Sequence, residues 1–357
     1  MGWTDIFKSK SSKAKADPRV RWFGKLPTYG DYYRSRGEDD WSEEFHALIL
    51  KGFEFYQSRA PGGTRHARLP ISTAVIRLPE SDMTAFASVL DYGGDNRGRP
   101  FPMLFYVGVP TAQWPGPTSG QMVAAGRVLR ELLGLKREVS HFLNSPGRFE
   151  QTFDDRTVEL AGLAADDTDE SWRKALSAVS LADWFSGVPC GLNGADARQW
   201  RRAVAAWGDA IAAHESKSFE PTLCFPLSSA APFDGQAAGW IRWLDNRIDL
   251  RRRTCSLIVT GEGAATPNPA APGQVRTPQP GSAPGRLCVV ARDLIPDDFL
   301  LFTPLAATLP YVEDPAAKPA PPDAANGPQS DANAPNSPRE PATWIEFVEA
   351  LPSLPRA

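Results

Sequence analysis

The chain contains 357 residues, of which 42% are hydrophobic and 23% are charged, an ordinary globular composition that excludes a wholly disordered or collagen-like chain. With 39 Lys and Arg against 42 Asp and Glu, the net charge is -3, which does not favour nucleic-acid binding. The longest apolar runs are too short to cross a bilayer and no signal peptide is visible, so we expect a cytoplasmic protein without stable membrane insertion.

The first 19 residues are typical of a basic flexible tail, with five Lys and Arg against two acids. A strand-like segment follows, with the sequence RWFGKLPTYGDY over residues 21–32. Gly24 and Gly30 bracket a proline turn, which predicts a strand ending in a tight loop that exposes Lys25 and Asp31 at a fixed position. The alternative is a purely structural turn in which Lys25 and Asp31 make local caps.

Helical and strand periodicities alternate through the rest of the chain. Asp40 and Glu43 resemble a capping box at the start of a helix. The apolar face of that helix is formed by Trp41, Phe45, Leu48, Ile49, Phe53 and Tyr56. Further helices are predicted at 119–143, capped by Ser119 and halted at Pro146, and near 170–186, 196–214 and 236–247. Strands are predicted at 71–78, 84–91, 101–109, 222–227, 254–260 and 286–291. This order predicts one α/β or α+β domain over residues 20–312.

Proline, with 34 residues, marks the segments outside the core. Residues 264–285 hold six prolines between two strands, which predicts a flexible insertion in a hairpin-type loop. A Pro/Ala-rich linker at 313–341 then leads to a short amphipathic C-terminal segment at 342–357. That segment is either a tethered docking motif or a helix that packs back on its own domain.

Catalytic signatures are scarce. The four histidines have no metal-ligand spacing, and His46 and His141 are expected to be solvated or half-buried on helices. The four cysteines form no CxxC pair and are expected to be buried, reduced thiols. Residues 94–98 share only a passing likeness with a metallophosphatase fingerprint, and GxSxG, Walker A and GxGxxG motifs are missing. We therefore expect a protein that is not an enzyme and that uses no metal or cofactor.

A cationic hairpin loop, NRGRPFP, occupies residues 96–102. Arg97 and Arg99 have the chemistry to grip a phosphate or a carboxylate of a partner in a bidentate manner. The alternative is that one arginine pairs with an internal acid, such as Asp31 or Asp91, and holds the loops together.

The two segments at residues 21–32 and 96–102 resemble the motifs of a known family. Phe23-Gly24-Lys25-Leu26-Pro27-x-x-Gly30-Asp31 resembles the opening signature of the TagF (ImpM) family of type VI secretion-associated proteins, with Tyr32 where Phe is usual. Asp91-x(6)-Gly98-Arg99-Pro100-Phe101-Pro102-Met103 is similar to the family's second signature, with Met103 in place of Leu. Residues 256–260 are similar to the last strand of the family. Residues 294–299 are similar to the Pro-x-x-Phe motif that follows that strand. The resemblance covers about residues 20–305 in outline.

The resemblance implies a largely antiparallel, longin-like sheet flanked by helices and a non-enzymatic, post-translational repressor of type VI secretion assembly. It implies the forkhead-associated (Fha) scaffold protein as partner and the PP2C-type phosphatase of the same pathway as a second candidate. The partner-binding residues expected from the two loops are Lys25, Gly30, Asp31, Arg97, Arg99 and Phe101. The alternative function is a scaffold or adaptor that acts through the tethered C-terminal peptide.

Overall fold

The computed structural model describes residues 16–37, 39–59, 72–90, 94–114, 116–142, 145–160, 162–163, 173–174, 177, 180, 184, 222–228, 231–245, 250, 254–260, 285–302 and 312–313. Several predictions fall outside these ranges: the N-terminal tail, the insertion at 264–285, the linker at 314–341 and the C-terminal segment. The predicted helix at 196–214, and most of the one at 170–186, also lie outside them.

A single sheet forms the centre of the described part. Its strands are β1 (Asp17–Gly24), β2 (Tyr33–Arg34), β3 (Ser72–Leu78), β4 (Met83–Leu90), β5 (Met103–Pro110), β6 (Thr222–Pro226), β7 (Ser256–Thr260), β8 (Arg286–Val290) and β9 (Val312–Glu313). Their spatial order is β2-β1-β5-β4-β3-β7-β8-β6-β9. All neighbours pair antiparallel except β9, which runs parallel to β6. The predicted α/β class, with a largely antiparallel sheet flanked by helices, is confirmed.

Helices cover both faces of the sheet. They are α1 (Asp40–Arg59), α2 (Ser119–Ser140), α3 (Pro146–Phe153), α4 (Phe233–Asp245) and a 3₁₀ helix at Pro296–Phe302. The apolar side of α1 and the 3₁₀ helix pack on one face, and α2, α3 and α4 pack on the other. Every residue of β4 and β5 is therefore buried, which explains why β5 is a continuous apolar run and why the only polar residues of β4 are the small Thr84 and Ser88.

Three cysteines on the sheet agree with the expected buried thiols. Cys224, Cys255 and Cys288 are buried thiols that form no disulfide. Cys224 of β6 lies opposite Cys288 of β8, and their Sγ atoms are 2.8 Å apart. These side chains pack as small apolar groups in the core between the sheet and its helices.

Two of the predicted helices begin where expected, at Asp40 and Ser119, but their predicted N-caps are one residue too late. Thr118, and not Ser119, is the N-cap of α2, where its hydroxyl accepts from the backbone N of Gln121 and the Gln121 side chain accepts in return. At α1 the residue before the helix is Asp39, whose backbone exchanges hydrogen bonds with the Ser42 hydroxyl. The expected capping box from Asp40 is therefore not the one used.

The end of α2 also differs from the prediction. α2 ends at Ser140, and Pro146 opens a separate helix, α3, which the sequence analysis did not predict. Proline is well suited to the first turn of a helix because its missing N–H has no partner to find there. Phe149 and Phe153 of α3 are fully buried against the sheet, next to Trp22.

Removal of the α2 cap has a predictable cost. Thr118→Ala is expected to lower the free energy of unfolding by about 1 kcal/mol, because the Gln121 N–H loses its acceptor. Chemical denaturation of the full chain measures the loss. Ser119→Ala is the matched control and is expected to change stability by less; an equal or larger loss in Ser119→Ala would contradict the assignment of the cap to Thr118.

Candidate functional site

The two signature segments lie side by side at one end of the sheet. The first signature loop, residues 25–32, follows β1, and the second signature loop, residues 94–102, leads into β5. Because β1 and β5 are antiparallel neighbours, Gly24 at the end of β1 lies opposite Met103 at the start of β5. The strand register thus joins two loops that are separated in sequence by α1, β3 and β4.

A buried carboxylate, that of Asp95, holds the two loops together. Its side chain is 0% exposed, and its Oδ1 accepts hydrogen bonds from the backbone N atoms of Arg97 and Arg99, each at 2.9 Å. Its Oδ2 accepts from Arg99 Nε at 2.7 Å and lies 3.3 Å from Lys25 Nζ. The Arg99 guanidinium also donates to the carbonyl oxygen of Gly30 in the first signature loop. Asp95 is therefore the centre of a network that spans both loops.

The same contacts fix the charge of this carboxylate. Burial alone would raise the pKa of Asp95, but the hydrogen bonds from Arg99, Arg97 and Lys25 together outweigh burial. The pKa of Asp95 consequently lies well below its usual range. A permanently charged Asp95 keeps both loops attached to it at neutral pH.

Lys25 is an internal ion-pair residue, which corrects the expectation that the first loop exposes it. Only 6% of its side chain is exposed, because the ammonium group faces Asp95 and lies 4.8 Å from the centroid of the Tyr32 ring. The arginine partner was expected to be Asp31 or Asp91, but it is Asp95. Asp31 is exposed and accepts a 2.8 Å hydrogen bond from the Tyr32 backbone N, while Asp91 lies outside the described residues.

Phe101, one of the residues expected to bind a partner, is a core residue in the structure. It is 2% exposed, and its ring meets the edges of Phe23 and Tyr32 at centroid distances of 5.5 and 5.0 Å. Phe53 of α1 lies on another side at 4.9 Å. Phe101 therefore anchors the second signature loop to the core.

The exposed part of the site includes two arginines and two tyrosines, beside the exposed Asp31 and Asn96. Arg97 is exposed, and Arg99 keeps 48% of its side chain exposed although it contacts Asp95. Tyr29 is 40% and Tyr32 is 37% exposed, and they are two of the three large hydrophobic side chains exposed in the described part of the chain. The sequence analysis did not select these tyrosines; their position in a Gly/Pro turn, outside any apolar periodicity, was the available signal.

His46 of α1 lies next to Phe23 of β1 and is more buried than the sequence analysis expected. It was expected to be solvated or half-buried, but it is 5% exposed and stacks on Phe23 at a centroid distance of 4.0 Å. Its Nε2 lies 2.6 Å from the hydroxyl of Tyr106. Burial, followed by the positive charges of Arg34 and Arg21, lowers the pKa of His46 to about 3. The sequence signal was its place on the apolar face of α1, three residues before Ile49.

Among the residues that the structure describes, no group of three or more His, Cys, Asp and Glu side chains is placed to hold a metal ion. Asp95, the acid of the metallophosphatase-like segment, directs both oxygens at donors of the two loops. Within the same ranges, no helix has the length and apolarity needed to span a membrane.

No protein-family model matches the sequence, and none of the curated proteins matches it. Among solved structures, the crystal structure of PA0076 from Pseudomonas aeruginosa PAO1 is similar, with 22% sequence identity and a TM-score of 0.27. The similarity covers 42% of this chain and 64% of PA0076, which is less than two thirds of that protein. The functional proposal therefore rests on the loops of this chain and on the motifs in them.

Proposed function

We propose that this protein is a non-enzymatic, cytoplasmic regulator of type VI secretion that represses assembly of the apparatus by binding its forkhead-associated scaffold protein. One observation carries the proposal: the two segments that resemble TagF signatures form a single loop pair around Asp95. Segments so far apart in sequence need not meet in space. Their meeting supports a shared role for the two motifs.

The exposed side chains of the loop pair suit a protein partner. Tyrosine and arginine are the residue types that most often dominate binding energy at protein interfaces. Tyr29, Tyr32, Arg97 and Arg99 are presented here by loops tied down by a buried ion-pair network, so little conformational freedom has to be lost on binding. The PP2C-type phosphatase of the pathway is the second candidate partner for this surface.

In this proposal the protein does no chemistry and acts by occupancy. A bound regulator shifts its partner toward a given state only as far as it binds that state more tightly than the other. Repression therefore requires that the assembly-incompetent form of the scaffold protein binds the loop pair better than the assembled form does.

The proposal is tested by measuring binding of the purified full chain to the purified forkhead-associated scaffold protein. Arg97→Glu is expected to weaken the affinity by at least about tenfold, or about 1.4 kcal/mol, because a positive contact becomes a repulsive one. Its melting temperature is expected to stay nearly constant, since the Arg97 side chain forms no ion pair within the described part of the chain.

Arg36→Ala is the matched control, because Arg36 is also an exposed arginine near this end of the sheet but pairs with Glu150, at 2.8 Å. It is expected to bind the scaffold protein normally. No detectable binding by the unaltered chain, or equal affinity for the Arg97→Glu and unaltered chains, would contradict the proposal.

The adaptor alternative places the function in the C-terminal segment. The pattern of Trp344, Ile345, Phe347, Val348 and Leu351 after a Pro/Ala-rich linker favours it. Deletion of residues 342–357 separates the two functions. The regulator proposal expects repression of secretion to be retained by the shortened chain, whereas the adaptor alternative expects it to be lost.

A further inference from the structure

Two guanidinium groups converge on Gly30. The Arg99 guanidinium donates a hydrogen bond to the Gly30 carbonyl oxygen, and a Cβ built on Gly30 would lie 3.9 Å from Nε of Arg97. The same Cβ would lie 3.3 Å from the side-chain oxygen of Asn96. We call the space bounded by Gly30, Arg97 and Arg99 the Gly30 recess. A side chain at position 30 would fill it.

The backbone does not explain why this residue is glycine. Gly24, Gly94 and Gly98 have positive φ values of 152°, 103° and 72°, whereas Gly30 is not among the glycines with positive φ. Any residue can adopt its backbone conformation. A Cβ at position 30 would be tight only against the side-chain oxygen of Asn96, at 3.3 Å, and would lie in ordinary contact with Arg97 Nε, at 3.9 Å.

The positive charge in the recess is incompletely balanced within the chain. Asp95 is already shared between Lys25 and Arg99 and is fully buried beneath them. Asp31 forms no ion pair in the described part; its Oδ1 accepts from the Tyr32 backbone N. Arg97 has no acidic partner in that part either. Two cations held close together repel each other unless an anion lies between them.

We propose that the Gly30 recess binds an oxyanion, a carboxylate or phosphoryl group presented by the protein partner. This inference rests on the proposed function for the identity of the partner, but not for the existence of the site. A guanidinium offers parallel N–H donors that match two oxygens of such a group. Arg99 is held by Asp95 and Gly30, and the backbone of Arg97 is held by Asp95, so the recess is largely formed before the anion arrives.

Inorganic phosphate is the probe for this site. We expect saturable binding of phosphate to the full chain, measured by the side-chain Nε–H resonances of arginine in NMR at constant ionic strength, with chloride as the reference anion. Arg97→Ala and Gly30→Ala are each expected to weaken phosphate binding by fivefold or more. Arg97→Lys is expected to retain part of it, because lysine keeps the charge but not the bidentate geometry.

Gly30→Ala is the sharper of the two variants, since it keeps both arginines and only fills the recess. Arg36→Ala is the control, because it removes one positive charge outside the recess. We expect this variant to bind phosphate like the unaltered chain. Arg97→Ala keeps the test valid if Gly30→Ala does not fold. Shifts that grow linearly with phosphate, or equal affinity in all variants, would overturn the inference.

A treatment of the partner protein distinguishes a phosphoryl group from a carboxylate as the bound oxyanion. Treatment of the scaffold protein with a phosphatase is expected to abolish binding if the recess takes a phosphoryl group and to leave binding unchanged if it takes a carboxylate. If phosphate does not bind to the recess but Arg97→Glu still weakens binding to the scaffold protein, the inference is wrong and the proposed function stands. If phosphate binds but the scaffold protein does not, the site stands and the proposed partner is wrong.

Discussion

Asp95→Asn is expected to lower the free energy of unfolding by about 3 kcal/mol, because it leaves Lys25 buried without its counter-charge. Asparagine keeps one oxygen for the backbone N–H groups, but its amide N–H₂ would face the Lys25 and Arg99 donors. This loss is at the lower end of the range for breaking a buried ion pair, because the Arg99 side chain is partly exposed to solvent. Thermal unfolding of the full chain is expected to shift down by roughly 5–10 °C.

Asp31→Asn is the matched control for this experiment. Both acids lie in the signature loops, but Asp31 is exposed and its only hydrogen bond in the described part is to the Tyr32 backbone N, which asparagine also accepts. We expect a stability change below about 0.5 kcal/mol. Equal losses for the two variants would mean that the Asp95 network does not hold the loops together.

A double-mutant cycle assigns the loss to the ion pair itself. Lys25→Met alone is expected to destabilise the protein, because it strips one cation from Asp95, but the pair Lys25→Met and Asp95→Asn together should cost less than the sum of the single losses. Additive losses would show that Lys25 and Asp95 act independently. Asp95→Asn is also expected to weaken binding at the Gly30 recess, since Arg99 would no longer be held in place.

The second large effect is a loss of stability on mild acidification. The pKa of His46 is about 3 in the folded protein, against an ordinary value of 6.5, so between these pH values the unfolded chain binds a proton that the folded chain does not. The free energy of unfolding therefore falls as the pH falls, by about 2 kcal/mol between pH 7 and pH 5. Chemical denaturation at a series of pH values measures this slope.

His46→Gln is expected to flatten the slope, because glutamine keeps a polar group near the Tyr106 hydroxyl but does not titrate in this range. The change of slope, and not the stability at any single pH, is the readout, since the substitution has a cost of its own in a packed site. Asp95 contributes stability that is lost only at lower pH, as its unfolded-state pKa of 3.8 is approached. A slope that persists unchanged in His46→Gln would assign the acid sensitivity to other groups.

The local pattern of the sequence determined most of the secondary structure. The apolar spacing from Trp41 to Tyr56 predicted α1. The strand-like runs at 84–91 and 101–109 predicted β4 and β5. These patterns suffice because helix and strand periods depend on near neighbours and on which side faces the core. Helix ends were less certain: Thr118 and Ser119 are both good caps, and only the hydrogen bonds select one of them.

The pairing within the site was decided by tertiary structure alone. The sequence placed Lys25, Asp31, Arg97 and Arg99 in two loops, but it offered several acids for the arginines and lysine. The antiparallel register of β1 with β5 places the two loops next to each other. Asp95 is therefore the acid that pairs with Lys25 and Arg99, while Asp31 stays exposed to solvent. The same register buries Lys25 and Phe101 and leaves Tyr29, Tyr32, Arg97 and Arg99 accessible. The exposure of a residue in these loops depends on what packs on it from distant parts of the chain, and the local pattern of the loops does not contain that information.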